Sequence, residues 1–114
     1  MADRYLYVIR LGKSDEGKSV LDDRRFMARN PHYRRRVLFG KPCVYVGQTA
    51  LDPEERFRQH KSGHKAARIA RKYGMYLMAS AYEHLNPVPA SEAEEREEAL
   101  ALRLQRKGWA VWWH

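Results

Sequence analysis

Cys43 is the only cysteine in the chain. That excludes an internal disulfide and any zinc module built from several thiolates. Long apolar runs are missing too. Cys43-Val44-Tyr45-Val46 is characteristic, far short of the ~20 residues that a membrane-spanning helix needs. The start, Met1-Ala2-Asp3-Arg4, has no apolar leader, so the expectation is a cytoplasmic, intracellular protein with no membrane partner. There is no internal repeat and no low-complexity tract. Acidic residues are scarce, 14 against 22 Lys and Arg, for a net charge of +8. The deficit is uneven. Residues 1–43 hold 11 basic and 5 acidic side chains, residues 44–81 hold 7 and 3, and residues 82–114 hold 4 and 6. A basic body with a slightly acidic last third suits a polyanion, nucleic acid above all, through phosphate contacts and counterion release. With 114 residues, 44% hydrophobic and 32% charged, a single folded domain over 1–114 is expected.

Tyr5 to Leu11 is rich in β-branched and aromatic residues and apolar on both faces, as in a central strand ended by Gly12. Tyr5, Tyr7 and Ile9 share one face. Ser19 is placed to cap a helix through about Ala28, which Asn30-Pro31 breaks. Arg34-Arg35-Arg36 reads as a solvated charge run or as a phosphate contact. Cys43 to Val46 is a second strand, closed by Gly47. Asp52-Pro53-Glu54-Glu55 then opens a helix that runs to about Ser62 and stops at Gly63. A further helix is expected over His64–Tyr73, with an apolar stripe of Ala66, Ile69, Ala70 and Tyr73. Lys65, Arg68 and Lys72 fall on another face and form, with Lys61, a basic ridge. Met75–Tyr82 reads as a third strand. The S-x-x-E box of Ser91 and Glu94 opens a long helix that Gly108 ends, and Trp109–Trp113 is a short terminal strand.

One residue breaks the pattern of that long helix. Ala93, Leu100 and Leu104 define its apolar stripe, with Ala101 at the edge, and Glu97 falls in the middle. Glu94 and Glu98 turn aside and Glu95 points away. A carboxylate on a buried stripe needs an arginine, a hydrogen-bond donor or a metal, and a purely structural ion pair would also satisfy it. Arg56 and His60 lie at i, i+4, on one face of their helix near Phe57. A base for water, a cation for developing charge and usually a metal are the needs of phosphodiester hydrolysis.

Tyr5-Leu6-Tyr7, Tyr45-Val46-Gly47-Gln48-Thr49, Arg56-Phe57-Arg58-Gln59-His60 and Glu97-x-x-Leu100 together resemble, in order and local spacing, the GIY-YIG endonuclease superfamily. The resemblance covers most of residues 4–12 and 43–108. It implies an α/β (α+β) fold with a central three-stranded antiparallel sheet flanked by helices. It implies a nuclease using one divalent ion, Mg2+ or Mn2+, on nucleic acid, with DNA placed ahead of RNA. Tyr7 and Tyr45 match the motif tyrosines and Gly47 the close-packed glycine. Arg56 matches the arginine that stabilises phosphate charge, His60 a histidine found in some members, and Glu97 the metal ligand. There are departures. Tyr5 stands where glycine is usual. The 38 residues from Tyr7 to Tyr45 replace a short hairpin, which makes 13–41 a basic insertion. The late asparagine common in the family has no counterpart, since the only asparagines are Asn30 and Asn86.

Two other readings compete. One is a non-catalytic nucleic-acid-binding module on the same fold, and the other is a protein-interaction domain. The set Tyr7, Tyr45, Arg56 and Glu97 favours the nuclease, and the basic ridge of Lys61, Lys65, Arg68 and Lys72 disfavours the interaction domain. His60 and His64 have helical zinc spacing, but Gly63 between them ends the helix. The terminal tryptophans read as core or as a partner surface. Oligomeric state is open.

Overall fold

Strand β1 spans Asp3–Leu11 and β2 spans Cys43–Thr49, and their apolar, β-branched sequences pair antiparallel over seven residues. The computed structural model describes residues 3–33 and 40–113, so Arg34, Arg35 and Arg36 lie outside the described residues. β1 is central. On its other side β3, Gly74–Leu77, pairs antiparallel with Ile9–Leu11, and β4, Val88–Pro89, pairs with Asp3 and Arg4. β5, Ala110–Trp112, runs parallel to β2 along Cys43–Tyr45. The order is β3-β1-β2-β5, with β4 beside β1. The antiparallel trio is as the sequence implies, and the sheet is larger than three strands. Val8, Ile9, Val44, Val46, Ala110 and Val111 are fully buried in it.

Helix α1 is Arg24–Ala28, α2 is Pro53–Ser62, α3 is Arg68–Tyr73 and α4 is Ala93–Arg106. β2 runs on through Gly47 to Thr49 instead of closing at Gly47, and four other boundaries also differ from expectation. Ser19 caps a 3-10 turn, Val20–Asp22, and α1 starts afresh with the Asp23 carboxylate accepting from Phe26 N–H. α3 begins at Arg68, not at His64, because Gly63 and Lys65 adopt left-handed φ values of 89° and 48° and reverse the chain. β3 stops at Leu77, not at Tyr82. Beyond it the β1 edge is taken by the Asn86 amide, which accepts from Leu6 N–H at 2.7 Å and donates to Leu6 O at 2.8 Å. The chain meanwhile coils into 3-10 turns at Ala79–Ala81 and Glu83–Leu85. α4 has Glu92 at its N-cap after a 3-10 turn, and the Ser91–Glu94 box makes no capping bond. No helix among the described residues is long and apolar enough to cross a membrane.

The segment before residue 34 is fastened to the rest at two places. At one, Asp23 takes a two-point bond from Arg68 at 2.9 and 3.2 Å and another from Tyr73 Oη at 3.2 Å. Burial opposes the Asp23 carboxylate, but Arg68 and Phe26 N–H bring it down to about 2. At the other, Arg29 stacks 3.6 Å over the Trp112 ring, Phe26 stacks on the same ring, and His32 bonds Trp109 O. Asn30, fully buried, closes this seam. Its Nδ2 donates to Phe26 O and Val111 O, and its Oδ1 accepts from Val111 N–H at 2.7 Å and from Gln105. The amide thus serves β5 as a neighbouring strand would. Asn30→Ala strands the Val111 N–H and C=O in the interior, so it should lower unfolding free energy by roughly 3 kcal/mol or more. Urea denaturation checks this, and a loss below about 1 kcal/mol would show that the amide does not hold the seam.

Candidate active site

The β1–β2 register sets Tyr7 opposite Gly47 and Ile9 opposite Tyr45. Opposed residues share a face, so Tyr7, Tyr45 and Gly47 lie together. The Tyr7 ring crosses directly over Gly47. A Cβ at position 47 would sit 2.5 Å from the ring's Cζ and from Oη, which no side chain can occupy. The glycine is therefore the space that Tyr7 fills. The Tyr7 and Tyr45 ring centroids are 6.1 Å apart, and both rings are buried.

α2 lowers His60 onto this pair. The histidine is fully buried, 5.9 Å from the Tyr7 centroid and 5.4 Å from that of Tyr45. Its Nε2 is 2.8 Å from Tyr7 Oη, and its Nδ1 accepts from Ala67 N–H at 3.2 Å. A backbone N–H can only donate, so Nδ1 carries no hydrogen. A neutral imidazole then holds its one hydrogen on Nε2 and donates it to Tyr7 Oη. Neutrality is assured, because burial and then the Arg56 charge lower the His60 pKa to about 4. Tyr7 is pushed well above its ordinary value of 10, by burial first and by Tyr45 next, while Arg56 acts in the other direction. Tyr45 is raised by burial and by the negative charge of Glu97, again against Arg56.

Arg56 is held by its own helix end. Its guanidinium donates to Gln59 Oε1 at 3.0 Å, to His64 O at 3.3 Å and to Lys65 O at 2.8 Å. These three acceptors take three of its five N–H donors, and the guanidinium also hydrogen-bonds the Tyr7 side chain, so its charge is held against the tyrosine hydroxyl. Glu97 is buried with Ala93, Leu100, Ala101 and Leu104, whereas Glu94, Glu95 and Glu98 are exposed. No three His, Cys, Asp or Glu side chains among the described residues are grouped to hold a metal. Glu97 is the one hard carboxylate in the set, and the side chain that could hold a metal here. That set suits magnesium or manganese, which takes one or two carboxylates and completes its shell with water and substrate phosphate.

The structure links Tyr7, Tyr45, Arg56, His60 and Glu97: Arg56 acts on Tyr7, Tyr45 and His60, His60 bonds Tyr7, and the charge of Glu97 reaches Tyr45. It does not keep the basic ridge continuous. Arg68 is committed to Asp23, and Lys61 Nζ donates to Arg71 O and Gly74 O at 2.9 Å each. Lys65 lies in the left-handed turn before α3, and Lys72 rests over the Tyr73 ring. Asn30 and Asn86 are both engaged by strands, away from the set. One partner has no signal in the sequence: Ala67 acts through its backbone. A groove of about 600 Å³ beside β1 is lined by Asp52, Glu54 and Glu83, shares only Tyr5 with the motif, and would repel phosphate.

His60 gives the site a pH signature. Unfolded, it titrates near 6.5; folded, it resists protonation down to about 4. Below pH 6.5 the unfolded state binds a proton that the folded state does not, so stability falls as pH drops through that window. The full difference is about 3 kcal/mol at about 1.4 kcal/mol per pH unit. The stability gap between the native chain and His60→Gln should shrink by about that much between pH 7 and pH 4, and stay level above pH 7. Parallel urea titrations measure it, and a gap that ignores pH would refute the neutral, buried imidazole.

Neither the curated proteins nor the solved structures provide a match. The profile of the GIY-YIG catalytic domain matches residues 40–109, from just before β2 to just before β5. The match does not include β1, where Tyr7 lies opposite Gly47. With well over half its length matched and a mixed α/β sheet flanked by helices, the chain belongs to the GIY-YIG family, a family of nucleases.

Proposed function

We propose that the chain is a divalent-metal-dependent endonuclease that hydrolyses phosphodiester bonds, with DNA ahead of RNA as substrate. In this reading residues 1–114 are one nuclease domain and 13–41 a basic insertion. The observation that supports it is the electrostatic convergence of Arg56 and Glu97 on the Tyr7–Tyr45–His60 cluster. Arg56, held by Gln59, His64 and Lys65 beside Tyr7, offers its positive charge to the scissile phosphate. Glu97 would hold one magnesium or manganese ion, which offsets charge on the phosphate and acidifies the attacking water when bound. Tyr7, as phenolate, takes the proton of that water. The water oxygen bonds to phosphorus, the bond to the leaving oxygen breaks, and solvent protonates the leaving group. His60 Nε2–H stabilises the phenolate oxygen, in opposition to burial, which favours the phenol. Lys65 and Lys72 contact flanking phosphates, and Arg34–Arg36 extend that contact.

The decisive comparison is between neighbours on α4. Glu97→Gln keeps the side chain's size and should lower metal-dependent cleavage by at least about 100-fold, with nucleic-acid binding retained. Glu98→Gln, exposed and turned from the stripe, should cut like the native chain. A cleavage assay with Mg2+ or Mn2+ on several DNA and RNA forms reads both. Normal cutting by Glu97→Gln, or equal behaviour of the two variants, overturns the assignment.

A further inference from the structure

The solvent face of α4 has an internal symmetry that the nuclease reading leaves unused. Glu97 and its stripe face inward, and Ala99 is exposed on the other side. At about 100° per residue, Glu95, Arg103 and Arg106 fall within about 40° of Ala99 around the helix, and Glu92 caps its N-terminal end beside the same groove. They are placed evenly about it, Glu95 and Arg103 four residues away on either side, Glu92 and Arg106 seven. The acids occupy the N-terminal half and the arginines the C-terminal half. Beside this ridge lies a groove of about 460 Å³ with Leu6, Leu85 and Leu100 in its lining. Leu102, one of four exposed large apolar side chains among the described residues, stands on its opposite flank. Glu92 bonds Arg96 at 2.8 Å, and Arg103 and Arg106 have no ion pair among the described residues.

We propose that this face is a two-fold interface with a second copy of the chain, α4 packing antiparallel on α4. A two-fold axis through Ala99 sets Glu95 of each copy against Arg103 of the other and Glu92 against Arg106. Alanine at the crossing lets the backbones approach, and the two-fold brings the apolar grooves of the two copies together on one flank and their Leu102 side chains together on the other. The charge pattern argues for this occupant. A nucleic acid would meet Glu92, Glu95, Glu94 and Glu98 on the same helix, in the third of the chain that carries net negative charge. A uniformly acidic or basic partner would match only half of the ridge. The inward stripe with Glu97 is untouched, so each copy keeps its own site.

Charge reversal with rescue tests the pairing. The native chain of 13.5 kDa should sediment as a dimer at high protein concentration and dissociate as salt rises. Glu95→Arg alone and Arg103→Glu alone each create two like-charge contacts and should shift the mass to that of one chain. The double variant Glu95→Arg/Arg103→Glu restores opposite charges across the axis and should recover the dimer. Within one chain the two positions are eight residues, about 12 Å, apart, so the rescue cannot come from a pair within the helix. All four side chains are on the surface, and circular dichroism verifies folding. A native chain that stays monomeric, single reversals that remain dimeric, or a double variant that stays monomeric overturns the proposal. So does loss of nucleic-acid binding on Arg103→Glu with no change in mass, which would assign the face to nucleic acid.

Discussion

The hydrogen bond between His60 and Tyr7 is the constraint on which the arrangement of the site depends. It needs four things at once. β1 and β2 must pair in the register that sets Tyr7 over Gly47. α2 must stop at Gly63 so that its last turn presents His60. The chain must then fold back through Lys65 to aim Ala67 N–H at Nδ1. Finally, the pair must be dry enough to keep the imidazole neutral. The left-handed turn at 63–65 carries two of these requirements, and the same turn gives Arg56 its two carbonyl acceptors, His64 O and Lys65 O. One reversal of the chain therefore positions both the group that bonds the tyrosine and the cation beside it.

The second feature is how the sheet is closed by amides. Asn86 completes the edge of β1 at Leu6, and Asn30 does the same for β5 at Val111. Each supplies one donor and one acceptor where a further strand would supply both, which satisfies buried backbone groups without lengthening the sheet. Asn30 also joins the long β1–β2 connection to the terminal strand. Together with Arg29 on Trp112 and Arg68 on Asp23, it gives the described part of that connection a fixed seat instead of a free loop.

Much of this was legible in the sequence. The strands at Tyr5–Leu11 and Cys43–Val46, the Asp52-Pro53 helix start and the phase of Glu97 all follow from local pattern, which the chain records residue by residue. The joint motif was legible because its residue types are rare in combination. The start of α3 was not, because Ala66, Ile69, Ala70 and Tyr73 have helical spacing whether or not the first turn is helical. What decides it is Ala67 N–H being claimed by His60, seven residues back. The end of β3 was missed for a similar reason, since the strand's partner is displaced by the Asn86 side chain. The Ser91 box failed because a 3-10 turn precedes α4. The basic ridge was a sound reading of spacing, but Asp23, 45 residues away, takes Arg68. For β3 and for Arg68 a hydrogen bond from far along the chain overruled a local preference; for α3 and α4 the neighbouring turn did.

The proton arrangement at His60 is the central claim, and nitrogen NMR of the imidazole reads it directly. In 15N-labelled protein between pH 5 and pH 8, the account predicts an unprotonated Nδ1 and a protonated Nε2, with no titration across the range. It also predicts that the Nε2 signal moves in Tyr7→Phe, which removes the oxygen that it bonds. A hydrogen on Nδ1, or an imidazole that gains its second proton near pH 6.5, would contradict the account and remove the donor assigned to Tyr7.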